Sequence, residues 1–127
     1  MPIIGTGVDI VETSRIADLL GNHPERFLDR CFTQTEQADS QSPKRQLEHL
    51  AARFAAKEAA LKALGTGWAQ GVGWTDIEVV KDPSGKPSLN ITGKASEIAD
   101  GLGVSKWHLS LTHISTHAVA TVIAESE

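Results

Sequence analysis

The chain has 127 residues, with 12 Lys and Arg against 16 Asp and Glu, a formal net charge of -4 and 40% hydrophobic residues. This length fits one domain, residues 1–127, which can bury its own core but is too short for a deep internal cleft. The mixed charge argues against a general nucleic-acid binder. One cysteine excludes an internal disulfide, and no segment resembles a secretory signal or a membrane span, so we expect a soluble cytoplasmic protein.

The first segments predict a strand followed by short helices. Residues 2–11 are β-branched and interrupted by glycines, which is typical of a buried strand. Thr13 or Ser14 can cap a helix that runs to Leu20 and stops at the following glycine. A second short helix is expected over residues 24–31.

Two further helices are predicted before the middle of the chain. The segment "TQTE" at 33–36 has the form of a capping box and opens the third helix. Ser42 followed by Pro43 predicts the start of a long helix, and Gly65 is its expected C-terminal cap. The large apolar residues expected on one face of this helix are Leu47, Leu50, Phe54 and Leu61.

Beyond Gly65 the hydrophobic period changes from helix to strand. "WTDIEVVKD" and "PSLNIT" alternate as strands around a turn, "KASEIADGLG" predicts a short helix, and "KWHLSLTH" and "HAVATVIAE" predict a terminal hairpin joined through "ISTH". The predicted fold class is therefore α+β: a compact single domain with a mainly antiparallel sheet packed against a long helix.

Two carboxylates lie on elements that should be mostly apolar. Asp9 is near the end of the first strand, where a carboxylate needs a cation, a set of hydrogen bonds or an exposed strand end. It can either accept hydrogen bonds at the start of the Thr13 helix or bind a metal. Glu58 lies beside the apolar stripe of the long helix, and its alternatives are a helix-surface pair with Lys62, four residues on, or a metal.

The surroundings of these carboxylates favour a phosphate-bearing substrate. Gly65, Thr66 and Gly67 offer small side chains and free N–H groups where a ligand can approach closely, although they can also be an ordinary helix stop. Mg²⁺ prefers a few carboxylate oxygens together with phosphate and water, and Lys62 or Arg53 can neutralise phosphate charge. This combination suits phosphoryl-type transfer from a diphosphate.

Other chemistry is less well supported by the sequence. His113 and His117 are four apart, but their segment is predicted as strand and turn, whereas zinc pairing at that spacing needs a helix. Ser110 near His108 or His113 lacks the turn that surrounds a hydrolase nucleophile. A degenerate nucleotide-binding module would keep the glycine loop without needing both carboxylates, and a structural oligomer would need neither.

The motifs together resemble a known family along nearly the whole chain. "GTGVDIVETSRI", "RFAAKEAALKALGTG", "DIEVVKDPSGKPSLNITGKA" and "LSLTHISTHAVATVIAE" occur in the order found in the bacterial holo-acyl-carrier-protein synthases, which are stand-alone 4'-phosphopantetheinyl transferases. The resemblance implies Mg²⁺-dependent transfer of 4'-phosphopantetheine from coenzyme A to a serine of apo acyl carrier protein, in support of fatty acid biosynthesis. The other product is adenosine 3',5'-bisphosphate.

The resemblance also implies roles for particular residues. Asp9 and Glu58 would be the catalytic Mg²⁺ ligands, and Lys62 would act with them at the diphosphate. Larger transferases of the superfamily carry an acid at the position of Val11, so here water is expected as the third ligand. The residues implied in coenzyme binding are Arg53, Lys62, Gly65, Thr66, Gly67, Thr112 and His113.

Partners are implied in the same way. Arg15 and Arg26, on the first two helices, match positions that meet the acidic carrier in the family. Family members of this length are homotrimers with active sites between subunits. Such an assembly would complete a site that a short chain cannot enclose alone.

Overall fold

The computed structural model describes residues 2–127, so Met1 of the expected domain lies outside the described residues. The predicted α+β fold is confirmed. The strands are β1 (Ile3–Glu12), β2 (Ile77–Lys81), β3 (Pro87–Ile91), β4 (Lys106–His113) and β5 (His117–Glu125). The helices are α1 (Thr13–Leu20), α2 (Pro24–Cys31), α3 (Gln34–Ala38), α4 (Gln46–Leu64) and α5 (Gly93–Leu102). Within residues 2–127 no helix is long and apolar enough to cross a membrane.

Two antiparallel sheets flank the long helix. The larger sheet has the order β1-β5-β4, so the last strand is central and pairs with the first, and β2 pairs with β3 in a separate hairpin. Across the larger sheet, Asp9 is opposite Ala120, which is opposite Leu111. The predicted terminal hairpin and the β2–β3 hairpin are both confirmed.

Helix α4 is the centre of the core and is enclosed on nearly all sides. Between Leu50 and Leu64 every residue is buried except Glu58, which is partly exposed, and Lys62, which is exposed. The sequence predicted one apolar face, but α4 is buried on several. Small alanines let neighbouring elements approach the helix from several directions. Glu58 and Lys62 mark the one strip where this stretch of the helix reaches the surface.

The first glycine pair lets strand β1 lie directly on α4. A Cβ atom added at Gly5 would be 1.9 Å from the Ala63 carbonyl oxygen, and one added at Gly7 would be 1.8 Å from that of Ala59. No side chain fits at such distances, so these glycines are required for backbone contact. The contacts of Gly5 with Ala63 and of Gly7 with Ala59 show that β1 runs antiparallel to α4, and Asp9 is the next inward residue of the strand.

The local signals at helix ends were mostly correct. Thr33 and Glu36 form both capping-box bonds, and Gly65 ends α4 in the left-handed conformation at φ 78°. The predicted start of α4 at Ser42 and Pro43 is wrong. Helix α4 begins at Gln46, because the Arg45 N–H bonds back to the Ser42 carbonyl in a turn that precedes the helix.

Strand β1 is less buried than its composition predicted. Gly7 and Val11 are buried against the interior, but Val8 is 57% exposed and Ile10 is 62% exposed on the opposite face. Alternate residues of a strand point to opposite faces, so one side of the β1-β5-β4 sheet covers α4 while the other faces outward. This second face, defined by Val8, Ile10 and Ile114, is called the outer face below.

Candidate active site

An ion pair between β1 and α4 is the first element of the site. Lys62 Nζ lies 3.1 Å from Asp9 Oδ1 and donates to the Val8 carbonyl at 2.9 Å. The alternative that Asp9 caps α1 is not supported, since Glu12 is the N-cap residue and the α1 N-terminus receives no side-chain cap bond. Asp9 is 18% exposed and Lys62 is 53% exposed, so the pair faces open space.

Glu58 lies one helical turn before Lys62 but is not paired with it. Its Oε1 instead accepts a hydrogen bond from the indole Nε1–H of Trp68 at 3.3 Å. Residues four apart on a helix are surface neighbours, with about 5–6 Å between their Cβ atoms. Because Lys62 contacts Asp9, both carboxylates border the same seam between β1 and α4.

The loop after α4 is open to an approaching ligand. Gly65 and Gly67 have φ values of 78° and 59°, which favour glycine, and a Cβ added at either would meet nothing within 4 Å. The Thr66 hydroxyl donates to the Gly67 carbonyl at 2.9 Å. The two glycines therefore allow the backbone to turn at positive φ, and they pack against no other element.

The donor set fits a magnesium ion that is completed by its substrate. Asp9 already has a cation, the Lys62 ammonium, against its carboxylate. Residues 2–127 contain no group of three His, Cys, Asp or Glu side chains arranged around one point. Mg²⁺ usually binds through one or two carboxylates, substrate phosphates and several waters, so two carboxylates on one seam are compatible with it.

Arg53 is placed differently from the other predicted coenzyme residues. It is 4% exposed, and its Nη1 donates to the His49 carbonyl at 3.2 Å, while its Nε has no partner within residues 2–127. Burial lowers the pKa of Arg53 from its ordinary value, and burial together with the Arg53 charge lowers the pKa of His49. In a single chain Arg53 is not on the surface, so its contact with coenzyme A stays a prediction.

The two predicted residues of the last hairpin point to opposite faces of the sheet. His113 Nδ1 is 2.7 Å from Glu48 Oε1 on the inner face. Glu48 precedes Lys62 by about 21 Å along the helix axis, at about 1.5 Å per residue. Thr112 lines a shallow cavity of about 370 Å³ that also includes Ile10 on the outer face. One chain therefore does not gather all the predicted coenzyme residues around Lys62.

Helices α1 and α2 form a groove that brings the two predicted carrier contacts together. Its volume is about 500 Å³, and the Arg15 guanidinium lies 5.0 Å from the centroid of the Phe54 ring. Arginines at the rim and aromatic rings at the floor suit an acidic partner that also offers apolar side chains. The lining residues that carry this argument are Arg15, Arg26, Arg30, Phe27, Phe54 and Trp74.

Sequence reasoning missed a buried ion pair next to Glu58. Lys57 Nζ lies 2.8 Å from Glu36 Oε1, and both side chains are fully buried. Lys57 also donates to the carbonyls of Trp74 and Ile77, and Glu36 Oε2 accepts from the Val79 N–H at 2.9 Å. Burial lowers the pKa of Lys57, while the Glu36 carboxylate acts to raise it. The capping box identified Glu36 but gave no sign of its second partner.

Comparison with known proteins supports the motif-based hypothesis. Residues 5–122 match the model of the 4'-phosphopantetheinyl transferase superfamily. The holo-[acyl-carrier-protein] synthase of Koribacter versatilis is 50% identical over 123 residues, covering 97% of this chain and 98% of the relative. That of Vibrio parahaemolyticus is 48% identical over 126 residues, covering 99% and 100%. The crystal structure of a Bacillus anthracis holo-(acyl-carrier-protein) synthase in complex with CoA (3',5'-ADP) has a TM-score of 0.80 at 38% identity, covering 98% of each chain.

The chain therefore belongs to the 4'-phosphopantetheinyl transferase superfamily. Within it, the relatives that match at nearly full length are holo-[acyl-carrier-protein] synthases, and the chain is an enzyme of this type. The family resemblance drawn from the motifs is confirmed. The matched range includes every predicted site residue, from Asp9 to His113.

Proposed function

We propose that this enzyme transfers 4'-phosphopantetheine from coenzyme A to a serine of apo acyl carrier protein, with Mg²⁺ as cofactor. The products are holo acyl carrier protein and adenosine 3',5'-bisphosphate. In this proposal residues 1–127 are one transferase domain that acts in the cytoplasm and supports fatty acid biosynthesis. The similarity to synthases from several bacteria, one of them in complex with CoA, supports the substrate pair.

One observation carries the proposal. Lys62 joins Asp9 across the seam between α4 and β1, one turn after Glu58 and about one turn before the open glycine loop. This placement combines two carboxylates for a divalent cation with an ammonium group for a diphosphate. A coenzyme-binding module without catalysis would not need both acids beside the lysine.

The chemistry follows from the charges on this seam. The carrier serine oxygen forms a bond to the β-phosphorus of coenzyme A, and the bond from that phosphorus to the leaving adenosine 3',5'-bisphosphate breaks. The serine proton passes to Glu58 or to water. The ammonium of Lys62 is exposed, so it can contact the leaving phosphate and stabilise its growing negative charge. When bound by Asp9 and Glu58, Mg²⁺ would supply further neutralisation of the diphosphate.

We also propose that the site is completed in a homotrimer. The exposed Val8, Ile10 and Ile114 give the outer face an apolar character that a neighbouring chain can cover. Thr112 lies in the same cavity as Ile10, so covering this face would bring it against a second chain. Light scattering should find three chains for the wild type and fewer for Ile10→Asp.

A matched control for this test is Leu102→Asp, on α5. Leu102 is a comparably exposed apolar residue outside the outer face. The Leu102 variant should remain trimeric. If Ile10→Asp also remains trimeric, the outer face is not the interface.

The groove between α1 and α2 is our proposed carrier site. Its arginines can contact an acidic carrier, and its aromatic floor can accept an apolar side chain. Arg26→Glu should raise KM for the carrier with little change in kcat, because Arg26 is not among the groups proposed to hold the metal or the diphosphate. Lys106→Glu, which makes the same charge change on β4, should not alter KM. Equal KM values in the two variants would place the carrier elsewhere.

The direct test of the function is the mass of the carrier. Incubation with apo carrier, coenzyme A and Mg²⁺ should add one phosphopantetheine, and chelation by EDTA should prevent this. Glu58→Gln should abolish the mass gain while circular dichroism shows an intact fold. No gain with the wild type, where a known transferase succeeds on the same carrier, rejects the proposed function. Normal turnover by Glu58→Gln rejects the role of Glu58.

A further inference from the structure

The aromatic residue that follows the glycine loop contacts the carboxylate of Glu58. The Trp68 indole N–H donates to Glu58 Oε1, whereas Oε2 accepts no hydrogen bond from residues 2–127. A carboxylate held at one oxygen keeps the other in a defined direction for a ligand. Partners of this kind, which hold the ligands of a metal, contribute strongly to metal affinity.

Trp68 is itself held by a column of aromatic rings along α4. Its ring centroid is 3.7 Å from that of Trp74, with an angle of 30° between the planes. Trp74 in turn lies 4.7 Å from Phe54, which is one turn before Glu58 on the helix. The Trp74 carbonyl accepts from the buried Lys57 ammonium at 3.0 Å. The column therefore connects the indole of Trp68 to the rigid core of the protein.

The backbone beyond Trp68 is also specific in conformation. Gln70 has φ 65° and is the one non-glycine residue with positive φ among residues 2–127, and Gly67 and Gly71 flank this segment with φ 59° and 81°. A non-glycine residue adopts this region only where surrounding structure imposes it. The loop thus turns back on α4, and Trp68 is the side chain that it places against Glu58.

We propose that Trp68 is a positioning residue for Glu58. Its indole N–H holds Oε1, which limits the rotation of the carboxylate and leaves Oε2 available to the metal. This role rests on the proposed function of Glu58 as a metal ligand. It assigns a function to a partly buried tryptophan beside the site.

Two tryptophan-to-phenylalanine variants test this role. Trp68→Phe and Trp107→Phe each keep an aromatic ring and lose one indole N–H, but only the Trp68 N–H has a hydrogen-bond acceptor within residues 2–127. With coenzyme A present, Trp68→Phe should weaken Mn²⁺ binding, measured by electron paramagnetic resonance, by about tenfold. It should raise the Mg²⁺ concentration for half-maximal rate by a similar factor and largely retain the rate at saturating Mg²⁺. Equal Mn²⁺ affinities in the two variants overturn the proposal.

A second measurement does not require either phenylalanine variant to fold. The chain has 3 tryptophans, so the indole N–H signals in a nitrogen–proton NMR spectrum are few enough to assign. Glu58→Gln should shift the Trp68 signal, because a neutral amide oxygen is a weaker acceptor than a carboxylate, and should leave that of Trp107 in place. An unchanged Trp68 signal overturns the proposal. This contact can be tested whether or not the wild type modifies a carrier, so its failure is distinct from failure of the proposed function.

Discussion

Lys57 and Lys62 lie on neighbouring turns of α4, and their ion pairs differ in kind. Lys57 and Glu36 are fully buried, and the lysine donates to one carboxylate and two backbone carbonyls. Lys62 is 53% exposed, and its partner Asp9 is 18% exposed. The first ammonium has used all its donors inside the protein, whereas the second can turn to a phosphate that binds beside it.

The two ion pairs of α4 should therefore contribute differently to the stability of the fold. Breaking a buried pair leaves an uncompensated charge and is strongly destabilising, while an exposed pair contributes little. Lys57 therefore holds α3 and β2 against α4, and the fold of this region keeps the neighbouring Glu58 in place. The Lys62 pair is exposed and should contribute little to stability, which leaves Lys62 available for its proposed role at the diphosphate.

Removing the buried ammonium of Lys57 should change the protein most, through a loss of stability. Lys57→Met leaves the Glu36 carboxylate buried without a cation, and the free energy of unfolding should fall by about 3–5 kcal/mol. Urea unfolding followed by circular dichroism measures this. The control Lys62→Met, on the same helix, should change stability by less than about 1 kcal/mol. Similar losses in both variants would remove the distinction between the pairs.

Removing the exposed ammonium of Lys62 should lower turnover but not stability. Lys62→Met removes the ammonium that we propose stabilises the leaving phosphate, so kcat should fall by about 10²–10³-fold while the melting temperature is nearly unchanged. Initial rates of carrier modification at saturating coenzyme A and Mg²⁺ give this value. A variant that retains the wild-type kcat would show that Lys62 acts only as the partner of Asp9.

A double variant of the buried pair should give the smallest change, and it distinguishes the contribution of charge from that of hydrogen bonding. Combining Glu36→Leu with Lys57→Met leaves no unpaired charge, so we expect recovery of about 1–2 kcal/mol relative to Lys57→Met alone. Recovery should be incomplete, because the N–H groups of Thr33 and Val79 lose their acceptor. Urea unfolding measures this recovery. If stability does not recover, the unpaired Glu36 charge is not the cause of the destabilisation by Lys57→Met.

Elements set by local chemistry were predictable from sequence. The capping box at Thr33 and the C-cap at Gly65 depend only on adjacent residues, and the terminal hairpin follows from strict alternation. The start of α4 was predicted too early because the proline rule describes a favourable first position and does not exclude a preceding turn. The exposure of Ile10 was missed because a single chain leaves one sheet face open.

Contacts between distant segments of the site were also not predictable from the sequence. The sequence contains "GTG" twice, at 5–7 and 65–67, and only the structure shows that the first contacts the carbonyls of α4 while the second faces open space. Glu58 was identified by its place on the helix, but its contact with Trp68 depends on how the following loop turns back. Contacts between distant segments leave no mark in residue spacing.

We propose that Asp9 and Glu58 hold one metal ion between them. Crystals grown with Mn²⁺ and coenzyme A should give an anomalous difference peak within coordination distance of a carboxylate oxygen from each residue, next to the diphosphate. A peak that contacts only one of these residues, or neither, would contradict the account.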